Sequence, residues 1–103
     1  MNKKLAHISI VVDDYDKAID FYTHSLKFCL IEDTPLTDEK RWVLIATSKD
    51  AETSFLLAKA SSKEQMERIG NQTGGRVFIF LHTDDFEVYG IQFYFRPIFH
   101  SNI

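Results

Sequence analysis

The chain has 103 residues, of which 45% are hydrophobic and 26% charged, and its formal net charge is −3. These values are typical of one globular domain and exclude a fibrous or largely disordered chain. Lys and Arg are scattered singly or in pairs and form no basic stripe, which argues against a nucleic-acid partner. No apolar run approaches the roughly 18 residues of a membrane span, and the amino-terminal residues lack the apolar core of a signal peptide. We therefore expect a cytoplasmic protein without a membrane partner, whose single cysteine, Cys29, is a small buried residue.

The first half of the chain predicts a strand, a helix and three further strands. Residues 5–12 form an apolar run, expected to be a strand buried on both faces. In residues 15–26 apolar side chains recur at helical spacing, and Asp13 or Asp14 can cap the helix. Three short β-type runs separated by polar links then predict a meander: residues 28–34, 41–47 and 53–59.

The next segment predicts a short helix and a connector. Residues 61–69 begin with a capping-box pattern, in which Ser61 is followed three residues later by Glu64. The glycine-rich stretch "GNQTGG" at residues 70–75 ends this helix. It does not match a phosphate-binding loop, because it precedes a strand instead of opening a helix after one.

The rest of the chain repeats the beginning in a shortened form. Residues 76–83 predict a strand, and Asp84-Asp85 mirrors Asp13-Asp14, which aligns His7 with Phe78. Residues 85–90 leave room for barely one helical turn, and residues 90–103 predict one aromatic strand. The two final strands of a second full unit are not expected.

The residues that repeat are similar to those of the vicinal-oxygen-chelate superfamily, which includes glyoxalase I, bleomycin-resistance proteins and extradiol dioxygenases. The resemblance is carried by His7, by "VVDDYDKAIDFYTHSLKF" at residues 11–28 and by "FLHTDDF" at residues 80–86. Lys27 departs from it, because the family usually has a glycine at this helix exit, and a lysine there predicts either some backbone strain or a different helix exit.

The resemblance implies an α+β fold, in which a βαβββ module and an incomplete second βαβββ module form a curved mixed sheet. We expect one domain over residues 1–103, composed of a complete module (residues 5–59), a connecting helix and loop (60–75) and a shortened second module (76–103).

Enzymes of this superfamily hold a divalent metal at four positions, on the first and last strands of each module. His7 matches the first position, whereas the second falls near Leu56 and Leu57, and the third is Phe78. Neither leucine nor phenylalanine can bind a metal, and no residue of the short second module matches the fourth position. We therefore expect no cofactor, with His7 as a weak metal candidate and Zn, Ni, Mn or Fe as the alternative.

The failed ligand count favours a metal-independent, small-molecule-binding member of the superfamily, with catalytic residues unknown. The residues expected to line its cavity are His7, Ser9, Trp42, Phe78, Phe80 and His82. One alternative is a metal-dependent glyoxalase-type lyase or extradiol-type dioxygenase whose ligands are completed by a partner chain. Another is a strand-pairing interaction protein. Because an open sheet edge and the apolar residues between 91 and 99 need to be covered, we also expect a homodimer formed by exchange of a strand or domain.

Overall fold

The structure is a computed structural model that describes residues 2–76, 78–82, 88–91 and 99–101, with side chains described as far as Leu81. Its strands are β1 (His7–Val12), β2 (Cys29–Pro35), β3 (Arg41–Ala46), β4 (Ser54–Lys59), β5 (Ile79–His82), β6 (Val88–Ile91) and β7 (Phe99–Ser101). Its helices are α1 (Tyr15–Asp20), continued by a π-helical turn at Phe21–Ser25, and α2 (Lys63–Glu67). Within these residues no helix is long and apolar enough to cross a membrane.

The first four strands form one mixed sheet, sheet A, in the order β1-β4-β3-β2. β1 and β4 are parallel, with His7 opposite Ser54 and Val12 opposite Lys59. β2 pairs antiparallel with β3, and β3 with β4. The predicted strand, helix and three-stranded meander are confirmed, and so is the α+β fold class.

One face of sheet A is covered by α1. Asp14 begins this helix, since its carboxylate accepts a hydrogen bond from the Lys17 backbone N–H at 2.9 Å. Helical spacing then turns the apolar side chains of α1 toward the sheet. They pack with sheet residues into the core, which consists of Ile10, Val12, Tyr15, Ala18, Tyr22, Phe28, Val43, Ile45 and Leu57.

β1 is buried on only one face, so the prediction of a strand buried on both faces is wrong. Ile10 and Val12 are buried in the core, whereas His7 and Ser9, which point the other way, are exposed. The physical reason is the position of β1 at the end of sheet A, where α1 covers one face. Apolar composition alone cannot distinguish this arrangement from a strand with two covered faces.

Lys27 has the left-handed backbone conformation that its position in the sequence predicts. Its φ is +60°, and the Phe28 N–H donates to the Tyr22 carbonyl at 2.8 Å, closing the end of the π-helical turn. A side chain with a Cβ is strained in this region of backbone space, whereas glycine is not.

Lys27→Gly is therefore expected to stabilise the protein by about 0.5–1 kcal/mol, since relief of strain outweighs the extra entropy of the unfolded chain. Thermal melting followed by circular dichroism should show a rise of a few degrees. Lys27→Ala is the control: it removes the same charge but keeps the Cβ, and it should not raise the melting temperature. A lower melting temperature for the glycine variant would contradict the strain argument.

α2 begins one residue later than the capping pattern predicts. Ser62, rather than Ser61, caps the helix, because its hydroxyl accepts from the Gln65 N–H at 3.2 Å. The Gln65 side chain in turn accepts from the Ser61 N–H at 2.7 Å. Gln65 thus takes the role expected of Glu64. Two adjacent serines followed by "EQ" allow either register, so the pattern fixes the helix start only to within one residue.

The connector after α2 lies along the outer edge of β1. Gln72 accepts from the Val11 N–H at 3.3 Å, and its Nε2 donates to the Val11 carbonyl at 2.9 Å. The side-chain amide therefore makes the pair of bonds that a neighbouring strand would make. This arrangement provides hydrogen-bond partners for the backbone N–H and carbonyl of one residue on an otherwise open sheet edge.

Strands β5, β6 and β7 form a separate antiparallel sheet in that order. The helical turn predicted for residues 85–90 is wrong for residues 88–90, because these belong to β6, which pairs with both neighbouring strands. Two strands, rather than one, therefore follow β5. Residues 83–87 and 92–98 lie outside the described residues. The remaining predictions for this half and the self-association prediction depend on them.

Candidate ligand-binding site

The face of sheet A opposite α1, called the open face below, carries the site. Successive side chains of a strand point to opposite faces, so the neighbours of the core residues belong to this face. Along β1, β3 and β4 these are His7, Ser9, Val11, Trp42, Leu44, Ala46, Ser54, Leu56 and Ala58. The open face is thus largely apolar, with one imidazole, one indole and two hydroxyls. On it Leu44, Ala46 and Ser54 are buried, whereas His7 and Ser9 are exposed and Trp42 and Leu56 are half-buried.

Two of the predicted cavity residues, His7 and Trp42, contact one another on the open face. Their ring centroids are 5.7 Å apart and the ring planes are nearly perpendicular, at 83°. The two rings therefore meet edge to face, in a geometry that aromatic pairs prefer. His7 is exposed and Trp42 is half-buried. The pair leaves part of the indole accessible to a ligand.

The other predicted cavity residues are distributed differently. Ser9 is on the open face, exposed and opposite Leu56. Phe78 is half-buried and packs against the core cluster. Phe80 is 51% exposed. His82 belongs to β5, where its partner is Val88, and its side chain lies outside the described part of the chain.

A cavity of about 170 Å³ opens beside Trp42, where β3 and β4 separate. These strands pair at Leu44–Leu56 and Ile45–Phe55, and the pairing does not continue to Trp42 and Ala58. The cavity is lined by Tyr15, Leu36, Lys40, Arg41, Trp42 and residues 56–59. A second cavity of about 180 Å³ adjoins it and is lined by Glu39, Lys40, Lys59, Ala60 and Ser61. Lys40 and Lys59 line both cavities, and the two cavities are together called the β3–β4 recess below.

An ion-pair network fixes the wall of the recess to α1. The Arg41 guanidinium donates to both Asp33 oxygens, at 3.1 and 2.6 Å, and to Asp16 at 3.0 Å. It also lies 5.2 Å from the centre of the Tyr15 ring. The hydrogen bond from Arg41 lowers the pKa of Asp33 below its ordinary value. The ion pair therefore stabilises the folded protein at pH values above the ordinary carboxyl pKa, and this stabilisation is lost as the pH falls below that range. The Arg41 charge is thus already compensated within the protein.

The residues near His7 do not fit a divalent transition metal. Such a site needs three or more imidazole, thiolate or carboxylate donors, and no group of three His, Cys, Asp or Glu occurs among the described residues. On β4 the residue opposite His7 is Ser54, and the next one on the open face is Leu56. Of these groups only the imidazole is a good ligand for the metals considered, so no step is assigned to a metal.

Three residues of this region are absent from the sequence predictions, namely Lys40, Lys59 and Gln72. The antiparallel meander gives a signal for two of them, because it places the end of β4 beside the start of β3 and so brings Lys59 near Lys40. The contact of Gln72 with Val11 has no comparable signal, since it depends on the path of an irregular loop.

Comparison with known proteins identifies the family. Residues 4–89 match the model of the Glyoxalase/Bleomycin resistance protein/Dioxygenase superfamily. The chain belongs to this superfamily. A protein from Shewanella frigidimarina (strain NCIMB 400), described as an uncharacterized protein, is 55% identical over 87 residues, which cover 84% of this chain. The chain spans 64% of the length of that relative.

Two solved structures share the fold over most of this chain. The crystal structure of UcmS2 is 18% identical with a TM-score of 0.58, and the match covers 99% of this chain and 93% of that one. A superfamily member from Sphaerobacter thermophilus DSM 20745 is 16% identical with a TM-score of 0.52, and the match covers 86% of both chains. TnmS3, an antibiotic binding protein from Streptomyces sp. CB03234, is 34% identical over 56% of this chain and 46% of its own, with a TM-score of 0.49.

Proposed function

We propose that this superfamily member binds a small, largely apolar molecule on the open face of sheet A without the help of a metal. The observation that carries the proposal is the perpendicular contact of His7 with a half-buried Trp42 beside the β3–β4 recess. A large aromatic surface next to a recess is what an apolar ligand needs in order to lose contact with water.

The surroundings of Trp42 favour a planar, apolar ligand. Leu44 and Leu56 lie next to each other on the open face and give it an apolar floor. The indole adds a flat, polarisable surface, and such rings contribute stacking energy beyond the area that they bury. His7 supports the indole from one side and holds its orientation. A ligand with an aromatic ring system matches these surfaces best.

The position of His7 supports binding without a metal. The strand beside it, β4, is the last strand of the first module, from which the superfamily's metal enzymes supply their second ligand. Its residues on the open face are Ser54, Leu56 and Ala58. These side chains have no carboxylate or imidazole, so His7 acts here as a packing partner of Trp42.

A fluorescence titration tests the proposal. N-phenyl-1-naphthylamine is a neutral aromatic probe, and Trp42 is the single tryptophan of the chain, so a bound probe should quench its emission. We expect saturable quenching with the same dissociation constant in EDTA and in added Zn²⁺, Ni²⁺, Mn²⁺ or Fe²⁺. Binding that appears only with one of these ions would support the metal-dependent alternative, and no saturable binding would overturn the proposal.

A further inference from the structure

The β3–β4 recess is lined by two lysines whose backbone is held in place by hydrogen bonds. Lys40 ends a tight turn, in which its carbonyl accepts from the N–H groups of Leu36 and Thr37 at 2.8 and 3.0 Å. Its own N–H donates to the Thr37 hydroxyl at 3.0 Å. Lys59 ends β4 opposite Val12, and the Ala60 N–H donates to the Val12 carbonyl at 2.8 Å. The backbone that carries both lysine side chains is therefore fixed where it lines the recess.

The recess carries a positive charge that its own residues compensate only in part. In the described part of the chain, the ion pairs involve Arg41 with Asp16 and Asp33, and His24 with Asp20. Neither Lys40 nor Lys59 takes part in them. Among the residues that line the recess, Lys40, Arg41 and Lys59 carry a positive charge and Glu39 a negative one, so the lining has an excess of positive charge. The two carboxylates that pair with Arg41, Asp16 and Asp33, lie outside the lining. This excess contrasts with the negative formal charge of the whole chain.

The charged part and the apolar part of the recess meet at Trp42. The cavity beside Trp42 is lined by apolar residues, among them Leu36, Leu56 and Ala58, and also by Lys40, Lys59 and the paired Arg41. Together the adjoining cavities reach the lower end of the size range of ligand pockets, roughly 300 Å³. An apolar surface joined to a cationic rim is complementary to a molecule with an aromatic body and one negative charge.

We propose that the ligand of this protein is an aromatic anion, a carboxylate or sulfonate whose ring system lies against Trp42 and whose charge lies between Lys40 and Lys59. This inference rests on the proposed function, since it names the ligand class of the same site. It adds two specificity-determining residues that are not among those that carry the superfamily resemblance in the sequence. It also assigns Glu39 the opposite effect, because its carboxylate repels the same charge.

A matched pair of probes separates the two proposals. 8-Anilinonaphthalene-1-sulfonate and N-phenyl-1-naphthylamine share one ring system and differ by the sulfonate. Lys40→Gln/Lys59→Gln should weaken binding of the sulfonate about tenfold and leave binding of the neutral probe unchanged, since about 0.5–1 kcal/mol per exposed charge pair adds up to that factor. Lys49→Gln/Lys63→Gln removes the same charge from exposed positions outside the recess and is the control.

Two further readouts sharpen this test. Glu39→Gln should tighten binding of the sulfonate without affecting the neutral probe. Added salt should weaken binding of the sulfonate by the wild type more than by the double variant, because ions screen the lysine charges. Near-ultraviolet circular dichroism of each variant ensures that the dye reports on the folded protein, since partly folded chains also bind this dye.

Each outcome has a defined meaning. Equal binding of both probes, unaffected by the recess lysines, would overturn the anion proposal and leave the proposed function standing. An equal loss of sulfonate binding in both double variants would assign the effect to the overall charge of the protein, and it would also overturn the anion proposal. If the neutral probe binds nowhere and the sulfonate alone binds through Lys40 and Lys59, the apolar proposal fails while the anion subsite is retained.

Discussion

Trp42→Ala is expected to weaken binding of N-phenyl-1-naphthylamine about thirtyfold. Trp42 is half-buried, lies on the open face and lines the β3–β4 recess. Removing a central aromatic contact from a binding site typically costs about 2 kcal/mol or more, which corresponds to that factor. Because the variant has no tryptophan, the measurement is the enhancement of the probe's own emission on binding.

Two variants control for the shape and the chemistry of this contact. Trp42→Phe keeps an aromatic surface, so its affinity for the probe should fall only about threefold. His7→Phe keeps a ring edge against Trp42 but removes the imidazole nitrogens, so we expect it to bind the probe nearly as well as the wild type. Unchanged affinity in Trp42→Ala, or loss of binding in His7→Phe with Trp42 intact, would contradict the packing role assigned to this pair.

Tyr22→Ala is expected to lower the free energy of unfolding by about 3–5 kcal/mol, a large part of the stability of a domain of this size. Tyr22 is 1% exposed, the largest fully buried side chain among the described residues. Its ring lies 5.2 Å from that of Phe21 and 5.6 Å from that of Phe28, measured between centroids. Truncation leaves a cavity between α1 and sheet A, which urea unfolding followed by Trp42 emission should detect.

Tyr22→Phe and Met66→Ala are the controls for this experiment. Tyr22→Phe keeps the ring and should cost about 1 kcal/mol or less. Met66 is 52% exposed on α2, so its truncation should have a comparably small effect. A cost below about 1 kcal/mol for Tyr22→Ala would falsify the assignment of this ring to the centre of the core.

The hydroxyl group of Tyr22 makes the stability of the protein depend on pH in the alkaline range. Burial raises the pKa of Tyr22 above its ordinary value of 10.0, because the charged phenolate is poorly solvated in the core. The stability associated with the neutral phenol is complete below that value and falls as pH rises above it, where the unfolded chain ionises first. Tyr22→Phe lacks this group and should lose less stability in the alkaline range.

The first module could be predicted closely because local pattern and tertiary structure agree there. Helical spacing in residues 15–26 matches the face that α1 buries, and the three β-type runs match β2, β3 and β4. The strain at Lys27 was also predictable, because the resemblance places glycine at this position and the observed φ is +60°. Each of these predictions rests on a short stretch of sequence.

Other features were less predictable because they depend on distant partners. The exposure of His7 and Ser9 follows from the place of β1 at the end of sheet A, which the apolar run does not reveal. The strand at Val88–Ile91 is set by pairing with two neighbours and not by local spacing. The β3–β4 recess arises where two strands stop pairing, so it requires the register of the sheet.

The location of the ligand tests the central claim most directly. A ¹H–¹⁵N spectrum of the protein in EDTA, titrated with N-phenyl-1-naphthylamine, reports binding residue by residue. We predict saturable shifts of the Trp42 indole N–H and of the backbone amides of His7, Leu44 and Leu56, with little change at Asp20 and Met66. Shifts concentrated on α1 or α2, or shifts on the open face that require a divalent metal, would contradict the account.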